Sequence, residues 1–309
     1  MRPATDEARR RAEEAAPGGR QAREPRTLAP PGRRVAAVTE NRAIGAYRLF
    51  SAEDLDGPAD PRPGQFYMLA AAEGWGGGHD ERPYLPRAFS FARARANIAD
   101  RGGTVLDFLL EAIGPGTERL AALAAGEGLL LVGPLGVGFR APPGGEPGAP
   151  GRRPLLVGGG IGVAPLLCLA DELGASARPL LGFRTGAHAA AAELFEGRPS
   201  VATDDGSVGR QALVTDLLRE ELDSDDAATV YACGPPPMLE SVRALCAERG
   251  VPVQLALESG MACGFGACFG CVVPTRSGYI RICVDGPVLD GSALETALQP
   301  GEADRGAGH

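Results

Sequence analysis

The chain has 309 residues, 44% of them hydrophobic, and a formal net charge of −8. That length leaves room for two domains and a small third, and the negative charge argues weakly against nucleic-acid and anionic-membrane partners. No apolar run reaches the roughly 18 residues needed to span a bilayer, no signal peptide opens the sequence, and seven cysteines, four of them clustered, suit a reducing cytoplasm with a metal site better than a secreted scaffold.

Residues 1–31 are rich in Arg, Glu, Ala and Pro with almost no large apolar side chain, and are expected to form a disordered extension. From Arg33 the sequence reads as strands. Arg34–Thr39 and Ala46–Phe50 flank a short loop, Pro63–Leu69 follows a Pro/Gly turn, and Leu85–Phe91, Thr104–Leu110 and Leu129–Val132 come later. A glycine-rich loop, Glu73–His79, contains Trp75, which fits either a ligand cover or a plain loop aromatic. Between the last two strands, Thr117 stands as an N-cap before a helical pattern reaching Leu123. Short strands at regular spacing predict a small antiparallel barrel. Residues 141–153 read as a low-complexity linker.

Then the period changes. Strand Pro154–Val157, the turn Gly158-Gly159-Gly160-Ile161-Gly162 and an apolar helix, Val163–Leu173, form a strand–glycine turn–helix unit of the kind that binds dinucleotides. The turn departs from strict G-x-G-x-x-G and also fits a tight packing turn. Strands at 179–183, 200–203 and 228–233 alternate with helices at 189–196, 210–220 and 236–248, which predicts a doubly wound parallel sheet. Ligands of such sheets sit at the carboxyl ends of the strands. Thr203-Asp204-Asp205-Gly206 and Cys233-Gly234-Pro235 occupy such ends. A carboxylate at Asp204 would bond a ribose hydroxyl and favour NAD over NADP; an ordinary Asp-Asp-Gly turn fits equally well.

Residues 251–257 form a last strand leading into Cys263, Cys268, Cys271 and Cys283, spaced C-x4-C-x2-C-x11-C. The first three have the plant-type spacing of a [2Fe–2S] cluster. Gly264, Gly266 and Gly270 would let the loop bend and aim N–H groups at sulfur. Structural zinc sites favour C-x2-C at both ends, and two disulfides would need an oxidising compartment. Cys168 and Cys246 lie in helices and read as core residues.

The order of these parts resembles the ferredoxin–NADP reductase superfamily and, within it, the family of electron-transfer subunits of NAD-dependent dihydroorotate dehydrogenase. The likeness covers 32–292. Arg87-Ala88-Phe89-Ser90 matches the family's R-x-[YFI]-S flavin motif; Leu109-Leu110-Glu111 and Gly116-Thr117 match its second FAD segment; Gly133–Phe139 matches its G-P-L-G-x-G-F turn; Gly158, Gly159, Gly160, Gly162 and Cys233-Gly234-Pro235 match its pyridine-nucleotide segments. The resemblance implies an antiparallel FAD-binding β-barrel (32–148), a doubly wound α/β NAD domain (149–250), a small [2Fe–2S] domain (251–292) and a tail (293–309). It implies that Arg87 holds the FAD pyrophosphate, that Phe89 lies by the isoalloxazine and that Ser90 bonds near its N5. Cys233 would stand against the nicotinamide. The short return from Cys271 to Cys283 departs from oxygenase-reductase ferredoxin domains, which place the last cysteine much further on. The implied partner is a separate FMN-bearing subunit that oxidises dihydroorotate for pyrimidine synthesis, in a hetero-oligomer; the sequence offers no second flavin or dihydroorotate site. A reductase component for another acceptor, and a non-catalytic iron–sulfur sensor that would lack the flavin motif, are the competing readings.

Overall fold

The computed structural model describes residues 26–30, 32–76, 84–96, 103–140 and 152–298. Most of the expected N-terminal extension, the tip of the loop after Trp75, most of the linker and the end of the tail lie outside the described residues.

The first half is a seven-stranded antiparallel sheet. Its strands are β1 (Arg34–Ile44), β2 (Tyr47–Asp54), β3 (Phe66–Ala71), β4 (Arg87–Ser90), β5 (Arg93–Ala96), β6 (Thr104–Leu110) and β7 (Gly128–Leu135), ordered β4-β3-β7-β1-β2-β6-β5. The edge strands β4 and β5 are joined by two residues, so the sheet must curl until its edges meet. The expected barrel is therefore present as a curled sheet; no ladder joins β4 to β5 among the described residues. Phe50, Tyr67, Phe91, Phe108 and Leu110 fill its interior. The loop expected between the first strands is instead ladder, because β1 runs on to Ile44 and turns tightly at Gly45, whose φ is +55°.

Helix α1 (Pro115–Ala121) crosses between β6 and β7. Its N-cap is Gly114, with Pro115 at the first helical position. Thr117, expected at the cap, sits three residues in, where its Oγ1 accepts from the N–H groups of Ile113 (2.9 Å) and Gly114 (3.1 Å).

The second half is a sheet of β8 (Arg153–Gly159), β9 (Arg178–Phe183), β10 (Ser200–Thr203), β11 (Arg210–Gln211), β12 (Ala228–Cys233), β13 (Val253–Ala256) and β16 (Val288–Asp290), ordered β11-β10-β9-β8-β12-β13-β16. All neighbours are parallel except β13 and β16. Helices α2 (Val163–Leu173), α3 (Gly186–Ala189), α4 (Val214–Ser224) and α5 (Pro236–Arg249) connect them. In α4, Val214, Leu217, Leu218 and Leu222 are buried, the spacing of an amphipathic helix laid on a sheet. Chain order reverses between β8 and β12, so the crevice at their carboxyl ends is the switch point where such sheets bind ligands.

The sheet continues past position 250, where the nucleotide domain was expected to end. The cysteine-bearing segment leaves after β13 and returns at β16 on the same edge, and Leu257 N–H donating to Pro287 O at 2.9 Å pins its neck. Inside it lie the hairpin β14 (Val272–Thr275) and β15 (Gly278–Arg281) and the short helix α6 (Ile282–Asp285). The Gly133–Phe139 turn docks against this neck: Val137 N–H bonds to Gly286 O, and a methyl on Gly136 would meet that oxygen at 2.4 Å. Residues 26–30, expected in the loose extension, are tied down. The fully buried Gln65 donates to Thr27 O at 3.1 Å, and Arg26 Nη2 donates to Val284 O at 2.6 Å, beside Cys283. No helix among the described residues is long and apolar enough to cross a membrane.

Candidate active site and cysteine cage

One cavity of about 200 Å³ is lined by Phe89, Ser90 and Leu109 of the first sheet, Cys233 of the second, and Glu258 and Met261 at the start of the cysteine segment. The two residues expected to be catalytic, Ser90 and Cys233, thus come together from separate sheets, with Ala88 beside them. Leu110 points the other way, into the barrel core, as period-two alternation along β6 requires. Cys233 is 3% exposed, and burial, reinforced by the charge of Glu258, pushes its thiol well up. It is a neutral, space-filling thiol in contact with the cavity rather than a thiolate nucleophile.

Arg87 lies over the start of α1. A methyl on Gly116 would stand 2.6 Å from its Nε. The two expected flavin segments, 87–90 and 116–117, are therefore in contact, with bare backbone under a guanidinium, an arrangement suited to a phosphate. Arg87 also donates to Leu85 O at 2.5 Å, and its guanidinium carbon lies 5.8 Å from the centre of the Trp75 ring.

A second cavity, about 680 Å³, opens at the switch point and is lined by Gly159, Gly160, Gly162, Gly234, Pro235 and Asp204. Two of its glycines are required by contact, since a methyl on Gly162 would meet the Cys233 carbonyl at 2.6 Å and one on Gly159 would meet Met238 Sδ, whereas Gly160 is held at a φ of +55°. Gly158 packs instead, against Val163 and Leu166. The Thr203–Gly206 turn divides its labour. Thr203 is buried and its hydroxyl bonds to the backbone of Val208, so its side chain serves the turn. Asp205 accepts from Ser207 N and Oγ at 3.0 and 2.5 Å and likewise serves the turn. Asp204 alone of the three lines the cavity.

Two cavity residues escaped the sequence reading. Arg184 follows β9 immediately, beside Asp204, because Phe183 and Thr203 are paired across the ladder. The carboxyl end of this strand is where dinucleotide folds carry the group that meets the ribose, and counting strand ends would have found it. Its Nη2 donates to Glu111 Oε1 at 3.0 Å, and His188 Nε2 lies 3.3 Å from the same oxygen. Glu111, expected in a flavin segment, therefore bridges the first sheet to the nucleotide cavity. The second missed residue is Glu258, two positions beyond β13. Its side chain is open to the cleft, yet enough protein crowds round it for desolvation to raise its carboxyl above the usual glutamate range.

The four cysteines of the last segment stand as two pairs. Cys268 N–H donates to Cys263 Sγ at 3.4 Å, and Cys271 lies close enough to Cys283 to raise its thiol. Among the described residues no three potential ligands close round a single metal ion. Two thiol pairs side by side suit two irons, each with two protein sulfurs. Burial alone would raise the Cys263 thiol, but backbone N–H groups of Cys268, Phe265 and Ala267 and the Cys268 thiol bring it down to about 6. Cys283 is pushed up to about 12 by burial and by Cys271 beside it. Gly264 and Gly266 adopt φ of +80° and +87°, as expected of loop glycines; at the third bend the left-handed residue is Phe269 (φ +59°), not Gly270. Gly270 N–H still points at Cys268 Sγ, 3.4 Å away.

Residues 258–295 match the iron–sulfur cluster binding domain of dihydroorotate dehydrogenase B, and residues 156–244 match the oxidoreductase NAD-binding domain. The chain is 36% identical over 264 residues to a protein of Clostridium acetobutylicum named the electron transfer subunit of dihydroorotate dehydrogenase B (NAD(+)), with 84% of this chain and 96% of that one covered. A Bacillus caldolyticus protein of the same name is 45% identical over 184 residues, covering 57% of this chain and 68% of that one. Among solved structures, an NADH-dependent reduced ferredoxin-NADP oxidoreductase shares the fold, with a TM-score of 0.67 at 24% identity over 86% of this chain and 92% of that one.

Proposed function

The chain belongs to the family of electron transfer subunits of dihydroorotate dehydrogenase B (NAD(+)), and from that membership we propose that it carries electrons between a dihydroorotate-oxidising subunit and NAD⁺. The path would run through a [2Fe–2S] cluster on Cys263, Cys268, Cys271 and Cys283 and an FAD anchored by Arg87 and Ser90. One observation carries the reading: the cavity shared by Ser90 and Cys233 is walled on a third side by Met261. Cys263 is two residues further on, and two residues span at most roughly 7 Å. A flavin motif, a nicotinamide-side strand end and the first cluster ligand thus meet at one place.

When bound, FAD supplies the exchange between hydride transfer and single-electron transfer. The chain's own residues supply placement. Gly159 and Gly162 let the turn pack on Met238 and the Cys233 carbonyl, Gly160 keeps open space for a dinucleotide backbone at the switch point, and Asp204 offers an acceptor to the adenosine ribose. The neutral Cys233 thiol gives the nicotinamide a close, uncharged surface. Ser90 offers a hydroxyl on the flavin side, and Glu258 holds or releases a proton at its carboxyl between the two cavities it lines.

The partner would be an FMN-bearing catalytic subunit docking over the cysteine segment. That segment displays three exposed aromatic side chains, Phe265, Phe269 and Tyr279, with exposures of 62%, 63% and 80%, which a docking partner would cover. Anaerobically purified chain is expected to hold FAD and equal amounts of iron and acid-labile sulfide, and to be reduced by NADH alone. It should turn over dihydroorotate with NAD⁺ only once the catalytic subunit is added. Stoichiometric zinc without sulfide, or no activity in the reconstituted pair, would refute the reading.

A further inference from the structure

His188, on α3, is fixed by its neighbours. Tyr47 of β2 meets its ring edge-on, with 5.5 Å between ring centres. Thr185 Oγ1 lies 2.8 Å from Nδ1, and Ala46 N–H donates to Ala187 O at 2.9 Å, tying α3 to the first sheet. The other ring nitrogen, Nε2, stands in a triangle. Arg184 Nη2 is 3.1 Å away, Glu111 Oε1 is 3.3 Å away, and those two are 3.0 Å from each other.

The two neighbours of Nε2 make opposite demands, because a guanidinium only donates and a carboxylate only accepts. A neutral ring with its proton on Nδ1 gives that proton to Thr185 Oγ1 and offers the Nε2 lone pair to Arg184. Arg184 is then held by two acceptors, His188 and Glu111. A ring protonated at both nitrogens turns Nε2–H toward Glu111 and sets a positive charge 3.1 Å from Arg184 Nη2. Arg184 loses one acceptor and shares the other with a second cation. Its side chain is 68% exposed and can turn away, whereas that of His188 is 15% exposed and stays. The sheet fixes where Arg184 turns. Asp204 N–H donates to Phe183 O at 3.0 Å, so Arg184 leaves its strand beside Asp204, the acceptor offered to the ribose, and both line the second cavity. A cation there opposes the repulsion between the Asp204 carboxylate and a 2′-phosphate.

We propose that His188 is a specificity-determining residue, whose protonation releases Arg184 from Glu111 toward a 2′-phosphate on the ribose and so narrows the preference of the cavity for NAD over NADP. Imidazole is the side chain suited to such a task, since it changes charge near neutral pH. The other groups around α3 keep their states. Burial, reinforced by the charge of Glu111, pushes the Tyr47 phenol well up and keeps it neutral. Asp205 is engaged by Ser207, whose hydroxyl in turn accepts from Gly186 N–H, and Glu193 is exposed on the following turn. Glu258 lines the same cavity. The inference rests on the reading of this cavity as the nucleotide site and deepens it.

The test uses the full-length chain with FAD and cluster in place and two probes, AMP and adenosine 2′,5′-bisphosphate. Their dissociation constants are measured by calorimetry at about pH 8 and about pH 6, on either side of the imidazole range. A phosphate takes up a proton of its own near roughly pH 6, so His188→Gln, which keeps an acceptor for Arg184 and cannot become charged, is run in parallel. On acidification the ratio of the two constants should move toward the bisphosphate by about two- to fivefold more in wild type than in His188→Gln, the scale of an exposed ion pair. Arg184→Gln should remove that extra shift. Parallel pH curves for wild type and His188→Gln overturn the inference. An extra shift that survives in Arg184→Gln overturns it too, because the imidazolium itself would then be the partner of the phosphate. Should His188→Gln not fold, Arg184→Gln, changed at an exposed side chain, carries the comparison with wild type. If neither probe binds wild type at either pH, the cavity is not the nucleotide site and this inference falls with that reading.

Discussion

A methyl group placed on Gly116 would stand 2.6 Å from Arg87 Nε, 2.7 Å from Cζ and 2.8 Å from Nη2. No real side chain tolerates such contacts, so something must shift. The obstructing atoms are the far end of a flexible arginine, not backbone, and Gly116 lies in a helical turn that alanine accepts. Gly116→Ala should therefore leave the fold intact; helix propensity would even add up to about 1 kcal/mol, raising Tm by no more than a few degrees. The flavin should feel the opposite. A guanidinium pushed off the helix start loses its charge-assisted pairing with phosphate, about 1.5–3 kcal/mol, or roughly 10- to 100-fold in Kd. The assay is titration of apoprotein with FAD by flavin fluorescence, run beside thermal unfolding. FAD affinity within twofold of wild type would refute the placement of the phosphate between Arg87 and α1. An equal loss of stability and affinity would show that Gly116 serves packing instead.

Three further outcomes follow from the same geometry. Desolvation by the protein crowded round the cleft raises the Glu258 carboxyl, so the folded chain holds that proton more tightly than the unfolded chain; stability is present below the ordinary glutamate range and falls as pH climbs through the raised value, by an amount that solvent reaching the exposed carboxyl reduces. Glu258→Gln should flatten that fall in Tm, and parallel curves for the two proteins would count against it. Glu111 pairs with Arg184 beside Asp204, so Glu111→Gln should release a cation toward a 2′-phosphate and narrow the preference for NADH over NADPH by about two- to fivefold, the scale of an exposed ion pair; an unchanged preference in stopped-flow flavin reduction refutes it. Arg281 Nη1 donates to Gly266 O at 2.9 Å and its guanidinium faces Phe269 at 5.3 Å, tying the two cysteine-bearing segments together with a positive charge. Arg281→Gln should make the cluster harder to reduce, by about tenfold in the reduced-to-oxidised ratio or about 59 mV for one electron, while Arg281→Lys should not; equal midpoints in an EPR-monitored titration would remove the charge from the account.

What could be read from the sequence was what depends on neighbours in sequence. Ligand spacing is local, so Cys263, Cys268 and Cys271 declared a metal loop, and strand, glycine turn and helix declared the dinucleotide unit. Misplaced details nearby were legible too. Pro115 marks the first turn of α1 better than Thr117 marks its cap, and alternation along β6 already separates Leu109, on the cavity, from Leu110, in the core. Residues that act through distant contacts were silent. Arg184, at a strand end that could have been counted, gains its place beside Asp204 only when Phe183 is laid beside Thr203.

The join between nucleotide sheet and cysteine segment is a feature that a boundary drawn from sequence at position 250 does not convey, because the sheet carries on past it. Val253–Ala256 alone is too short to reveal whether it closes one domain or opens another. Its parallel pairing with β12 and antiparallel pairing with Val288–Asp290 decide the matter, and the second partner lies beyond all four cysteines. Because the segment leaves and re-enters on one sheet edge, with its neck held by the Leu257–Pro287 hydrogen bond, both ends are fixed beside the strand that ends at Cys233. The cluster ligands, within their own matched domain, thereby take their position from the edge of the nucleotide sheet. That attachment is what brings Met261 onto the wall of the cavity shared by Ser90 and Cys233.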